Sequence, residues 1–246
     1  MTSEHTIKLI SLDFDGTIYH SDFFFRLLDI IAEESGVPLS TRQRQVAVRF
    51  LYTFFGLEYT RGARQEESTP EEFFTLFNDQ LMAAMGILPP SRRRALRAVT
   101  ERALTLEARS WVEPDLVPWL EQLRSRGYTV ALLTNRPETV VAFCQELGIA
   151  HLFDLIVTRD TLGLMKPDPA PFRHMLQAAG VSPQQAVHVG DNPFTDVAGA
   201  KASDMHAVLV DPGDVFPDYG DVERVRRVVE LERWLHGPHA PSLLSG

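Results

Sequence analysis

Residues 9–20 read LISLDFDGTIYH. The segment Lys8–Leu12 is an apolar run that ends abruptly in Asp13, with Asp15, Gly16 and Thr17 close behind. Such a run lacks the in–out alternation of a half-wet strand, so it predicts a strand covered on both faces, as in parallel sheets. In extended backbone Asp13 and Asp15 project to the same side. Two carboxylates there cost desolvation and repel each other, and a cation is the physical remedy. In open parallel sheets the ligand crevice lies outside the carboxyl ends of the strands, which makes this pair a candidate site. Gly16 lets the backbone turn or approach a ligand, and Thr17 offers a hydroxyl and an N–H. The plainer alternative is an Asp/Gly turn after a strand.

Working outward, four more runs rich in Val, Ile, Leu and Ala predict buried strands: Tyr128–Leu133, Leu155–Thr158, Ala186–Val189 and Ala207–Val210. Helical segments separate them, over Pro114–Arg126, Pro137–Leu147, Pro169–Gly180 and Pro193–Ala202. Each starts with Pro, which is favoured in the first helical turn. Gly127, Gly148 and Gly180 fall where three of these helices should stop. Alternating strands and helices predict an α/β fold with a doubly wound parallel sheet.

Residues 19–109 break this rhythm. They show no convincing strand and read as about four helices, Asp22–Glu34, Ser40–Phe55, Pro70–Met85 and Ser91–Leu106. Apolar residues recur at helical spacing, as in Phe73, Phe77, Leu81 and Met85. These 91 residues suffice for a separate core, so they read as a helical domain inserted after the first strand. The remainder, residues 1–18 and 110–246, is then a core of 246 − 91 = 155 residues. The tail from Gly237, rich in Pro, Gly and Ser, reads as loose.

Composition narrows the function. With 24 Lys and Arg against 33 Asp and Glu, the net charge is −9. That argues against general nucleic-acid binding and against docking on anionic lipid, both of which reward basic patches. The inserted segment is neutral, with 12 Arg and 12 acids, so the core carries the deficit. A lone cysteine, Cys144, precludes an internal disulfide and fits a reducing compartment; within a helix it reads as packing. No apolar run reaches the roughly 18 residues of a membrane span, and the first residues lack a signal-peptide layout. A cytoplasmic protein is the expectation.

Three further segments carry candidate chemistry. In ALLTNRPET, residues 131–139, a strand ends at Thr134 and Asn135 before a helix start. Thr134 and the N–H groups of Asn135 and Arg136 suit a phosphate oxygen, with helix capping by Asn135 as the alternative. Lys166, in LGLMKPDPAPF, is one of three lysines against 21 arginines. It precedes a helix start, where the dipole disfavours a cation, so nearby carboxylates or phosphate would compensate it. Asp168 reads as an N-cap. In AVHVGDNPFTDVAGAK, residues 186–201, Asp191 and Asp196 can both reach a metal at a strand end. An acidic first turn complementing the dipole is the alternative for Asp196.

Together, Asp13-x-Asp15-Gly16-Thr17, Thr134, Lys166-Pro167 and Gly190-Asp191 with Asp196 resemble the haloacid dehalogenase superfamily of hydrolases, over the whole chain and in family order. The insertion at 19–109 resembles the helical cap of one large branch. The resemblance implies a Mg2+-dependent phosphatase working through an aspartyl-phosphate on a small phosphorylated metabolite. Asp13 would be the nucleophile and Asp15 the acid and base. Asp13, the Asp15 carbonyl and Asp191 would hold the metal, with Asp196 binding through water or orienting Lys166. Gly16, Thr17, Thr134, Asn135, Arg136 and Lys166 would hold the phosphoryl group. The family's metal-free dehalogenases lack an acid at the position of Asp15, and the cap contains none of the lysines that the phosphonate-cleaving branch requires. A phosphosugar mutase, or a non-catalytic binding protein on the same fold, is the alternative. Within the cap, Phe24, Phe25, Arg61 and Arg64 are weaker candidates for substrate contact, and Arg92–Arg94 read as an exposed helix start. His20 and His188 read as structural.

Overall fold

The structure, a computed structural model, describes residues 6–58 and 69–236. Arg61, Arg64 and the tail from Gly237 lie outside the described residues. The strands are β1 (Leu9–Leu12), β2 (Tyr19–Ser21), β3 (Ser110–Val112), β4 (Thr129–Leu133), β5 (Leu155–Val157), β6 (Ala186–Gly190), β7 (His206–Val210) and β8 (Glu223–Val225). Six of them form one sheet in the order β5-β4-β1-β6-β7-β8, and every pairing in it is parallel. Helices connect the sheet strands from β1 to β7, and a turn-rich segment joins β7 to β8, which makes this a doubly wound α/β fold. β1 is buried throughout, as its unbroken apolar run predicts.

Register decides what the strand ends bring together. Leu12 lies beside Leu132 of β4 and Val189 of β6. The ladder continues one residue further, with the Asp13 N–H donating to the Val189 carbonyl at 2.9 Å and that of Thr134 to Val157 at 3.0 Å. Asp13, Thr134 and Asp191 therefore emerge at one edge of the sheet.

The chain forms two compact units, Met1–His20 with Val112–Gly246, and Ser21–Trp111. In the first, Ile10, Leu12, Val130, Leu132, Val187 and Val189 are part of one buried cluster. Leu9, Leu133, Phe172 and Met175 belong to another. The helices Leu116–Ser125 and Thr139–Glu146 begin two residues after Pro114 and Pro137. Pro169 does open its helix, capped by the Asp168 carboxylate on the Ala170 N–H. Pro193 opens a π-helical turn, Pro193–Val197, that continues as the helix Ala198–Ala202. Gly127, Gly148 and Gly180 follow three helices with positive φ.

The second unit comprises the helices Phe23–Ser35, Thr41–Thr53, Pro70–Ala84 and Pro89–Leu104, with a π-helical turn at Phe54–Glu58. Ser40 with Gln43, and Thr69 with Glu72, close two helix starts as reciprocal capping boxes, satisfying N–H groups that the helix leaves orphaned. Leu27, Leu28, Ile31, Leu81, Met82 and Val99 form its core. Phe24 packs on that core and Phe25 is exposed. Arg92 pairs with Asp79 at 2.8 Å.

Three strands, β2, β3 and β8, escape the sequence reading. β2, inside the segment expected to be wholly helical, pairs with β3 in a separate two-stranded sheet. β8 is only Glu-Arg-Val, too short and polar to show a strand period. Among the described residues, no helix is long and apolar enough to cross a membrane. Cys144 is fully buried, and burial pushes its thiol up to about 11, consistent with packing.

Leu132 is fully buried in β4, next to the central strand. Leu132→Ala should cost about 2–5 kcal/mol, the range for a buried Leu truncation. Urea unfolding followed by circular dichroism measures it, and a loss well under that range would contradict the packing described.

Candidate active site

Lys166 is the electrostatic centre. It is 2% exposed, and its Nζ donates to Asp13 Oδ1 and to Asp196 Oδ1, each at 2.6 Å. Burial alone would lower the ammonium, but Asp13 and Asp196 hold it above its usual range. Burial alone would raise Asp196, yet Lys166 and His188 bring it below the ordinary carboxylate range. Asp13 goes the other way. Burial, with Asp196 adding to it, pushes Asp13 up to about 7 against the pull of Lys166. One lysine thus serves two acids unequally, because Asp196 has other donors.

Those donors come from the chain around it. The Asn192 N–H reaches Asp196 Oδ2 at 2.9 Å. His188 Nε2 lies 3.3 Å from Asp196 Oδ1, and Ser11 Oγ lies 2.8 Å from His188 Nδ1. With Nε2–H donating to the carboxylate, Nδ1 accepts from the Ser11 hydroxyl. Ser11 and His188 are register partners on β1 and β6, so the sheet itself sets this contact. Gly190 makes room for Asp196, since a Cβ there would fall 2.3 Å from its carboxyl carbon.

Thr134, Asn135 and Arg136 leave β4 and divide three tasks. The Thr134 side chain accepts from the Arg136 N–H at 3.1 Å. Asn135 does not cap the helix that follows. It clamps the Lys166 backbone from both sides, with Oδ1 accepting from the N–H at 2.7 Å and Nδ2 donating to the carbonyl at 3.0 Å. Arg136 meets Asp15 as a fork, with Nε to Oδ2 at 2.7 Å and Nη2 to Oδ1 at 2.6 Å. The Asp15 side chain is half exposed, unlike buried Asp13.

Gly16 has φ +74°, and the Gly16 N–H donates to the Tyr19 carbonyl at 2.8 Å. A Cβ at Gly16 would sit 1.8 Å from Asp191 Oδ2. Only glycine satisfies both the left-handed backbone and the approach of that carboxylate. Thr17 is 1% exposed, and its hydroxyl has no hydrogen-bond partner among the described residues.

Asp13, Asp191 and Asp196 each offer an oxygen, all within 4.8 Å of one another. With Lys166 the formal sum is −3 + 1 = −2, which a divalent cation would neutralise. A cluster of carboxylate oxygens suits a hard cation such as Mg2+. Asp196 lies nearer to this cluster than a role through water alone would suggest, though its oxygens already accept three donors. The sequence-derived candidates Asp13, Asp15, Gly16, Thr17, Thr134, Asn135, Arg136, Lys166, Asp191 and Asp196 all belong to this one region of the first unit. Sequence reasoning missed Ser11 and His188. A polar Ser and His facing each other from two apolar strands was the available signal.

His188 gives a pH test. Burial lowers its folded-state value below the ordinary one, so below pH ~6.5 the unfolded chain binds more protons. Its contribution is therefore present above that pH and lost as pH falls. Asp13, pushed up to about 7, has the opposite sign in wild type and variant alike, and cancels in the difference. The stability advantage of wild type over His188→Gln should shrink as pH falls from about 7.5 to about 5.5, measured by urea titration at each pH. An advantage that grows on acidification would contradict the buried neutral imidazole. A second variant, Gly16→Ala, should fold but lose Mg2+ affinity by calorimetry, because the new methyl group displaces Asp191. Unchanged affinity would contradict the cradle.

Comparison with known proteins agrees with this geometry. The family model for haloacid dehalogenase-like hydrolases matches residues 7–204. The phosphoserine phosphatase of Thermus thermophilus is 39% identical over 226 residues, covering 84% of this chain and 90% of its own. A phosphoglycolate phosphatase of Pseudomonas putida is 38% identical over 120 residues, 45% of this chain and 44% of its own. The crystal structure of a HAD phosphatase from Thermococcus onnurineus shares the fold, with a TM-score of 0.55 at 23% identity over 96% of this chain and 100% of its own. On sequence and fold together, the chain belongs to the haloacid dehalogenase-like hydrolase family.

Proposed function

We propose that the protein is a Mg2+-dependent phosphatase that hydrolyses a small phosphomonoester through an aspartyl-phosphate on Asp13. The observation that carries this reading is the Lys166 ammonium bridging Asp13 and Asp196 at 2.6 Å, with Asp15 two residues on. The names of the two relatives above support a small phosphomonoester. They differ in substrate, so the substrate itself stays at that chemical class.

Asp13, Asp191 and the Asp15 backbone carbonyl would hold Mg2+, with Asp196 orienting Lys166 or completing the site. When bound, the ion neutralises charge on the phosphoryl oxygens and on the acids. A carboxylate oxygen of Asp13 attacks phosphorus as the ester P–O bond breaks, and Asp15 gives its proton to the leaving oxygen. Asp15 then takes a proton from water as the water oxygen attacks phosphorus. The bond from phosphorus to Asp13 breaks, releasing inorganic phosphate and restoring the Asp13 carboxylate. Lys166, Thr134 and the unpartnered Thr17 hydroxyl hold phosphoryl oxygens through these steps. Residues 21–111 serve as the cap that selects the substrate, and the single buried cysteine suits a cytoplasmic setting.

Purified protein with Mg2+ should release phosphate from at least one member of a phosphorylated-metabolite panel that includes phosphoserine and phosphoglycolate. EDTA should stop turnover and Mg2+ restore it. Asp13→Asn should abolish turnover with the fold retained by circular dichroism. Phosphate release by that variant at the wild-type rate, or activity requiring a bisphosphate primer, would contradict the proposal.

A further inference from the structure

Arg136 is placed with more care than a substrate contact needs. Its two fork nitrogens sit at 2.6 and 2.7 Å from the two oxygens of Asp15. Its guanidinium carbon lies 5.0 Å from the ring centroid of Phe14, 5.5 Å from that of Tyr19 and 5.7 Å from that of Phe143. The rings also brace one another. Phe14 and Tyr19 stack at 5.1 Å, and Phe143 meets both edge-on, at 6.0 and 5.1 Å. Phe14 and Tyr19 flank the turn that carries Asp15, while Phe143 lies on the helix Thr139–Glu146. Three aromatic rings thus hold a planar cation, and the cation orients a carboxylate by two parallel bonds. The Arg136 N–H is also taken, by Thr134.

We propose that Arg136, fixed by the Phe14–Tyr19–Phe143 cage, positions Asp15 as the base that hydrolyses the aspartyl-phosphate. This rests on the reading of Asp13 and Asp15 above. A carboxylate held on both oxygens by a planar fork is fixed in direction, and its remaining lone pairs point a proton acceptor at the place a water must occupy. In that step Asp15 removes one proton from water, the water oxygen bonds to phosphorus, and the electron pair of the breaking bond returns to Asp13. Asp15 is left protonated, and that proton leaves with the next ester oxygen. Arg136 touches neither phosphorus nor water here, so it is a positioning residue. An arginine that instead bound substrate phosphate would act on the first half of the reaction.

Para-nitrophenyl phosphate separates the two halves. Its leaving group departs without a proton, so formation of the phospho-enzyme does not need Asp15, while its hydrolysis does. Arg136→Gln with Mg2+ should show kcat lower by about 10-fold or more, a part of the roughly 10²–10⁴-fold that the base itself contributes, and kcat/KM within about 2-fold of wild type. A burst of about one para-nitrophenolate per active site should precede steady turnover, as expected when the second half limits. Arg136→Lys keeps the charge but not the fork, so it should recover only part of kcat. Phe143→Leu, which removes one ring, should shift kcat in the same sense by less. A fall in kcat/KM without a burst would overturn the positioning role in favour of substrate binding, and a kcat at or above wild type would overturn it as well. Asp15→Asn is the control. It should give the same burst, and if it turns over like wild type the assignment of Asp15 fails, whatever Arg136 does. Equal thermal midpoints across the set exclude a loss of folded protein.

Discussion

An ammonium group taken almost wholly out of water must find negative charge on every side it would otherwise hydrate. Lys166 finds it in Asp13 and Asp196, and the rest of the site is arranged around that requirement. The desolvation of three charges is large, and an unpaired member would be strongly unfavourable. Each partner is therefore fixed independently: Asp13 by the strand ladder, Asp196 by Asn192 and His188, and Lys166 by the two-sided Asn135 clamp. The asymmetry that results is chemically useful. Asp196 is saturated with donors and stays an anion, whereas Asp13 shares a single lysine and is left for other chemistry.

The parallel sheet makes this arrangement possible with few residues. Because β1, β4 and β6 are in register, the first residue past each strand arrives at one edge. The three residues after β4 then tie the separate segments together, Asn135 to the Lys166 loop and Arg136 to the Asp15 turn. A site built this way needs no long loop to reach across it, and its groups are held by strands and by paired hydrogen bonds instead of by flexible connections.

Much of this was legible before any coordinates. The apolar run ending in Asp13, the isolated Lys166 and the Asp191–Asp196 pair each break a local rule of sequence, and such breaks mark functional positions. Side-chain partnership was less legible. Arg136 read as a substrate contact and Asn135 as a phosphate contact with capping as the alternative, because position relative to a strand end shows where a side chain starts and says nothing of what it meets. Asn135 and Lys166 are 31 residues apart, Arg136 and Asp15 121, distances no local pattern spans. His188 read as structural because it lies inside an apolar strand, and only the register of β1 against β6 shows that it supports Asp196. β8 was missed since three residues, two of them charged, carry no period.

The central claim is that Asp13, poised beside Lys166, carries the phosphoryl group. Acid quenching during turnover with Mg2+ and a competent phosphomonoester, followed by borohydride reduction and peptide mass spectrometry, tests it directly. Reduction of an acyl phosphate converts its aspartate to homoserine, so the account predicts that change at position 13 alone. Recovery of unmodified Asp13 from a protein caught in turnover, or the modification at another acid, would contradict it.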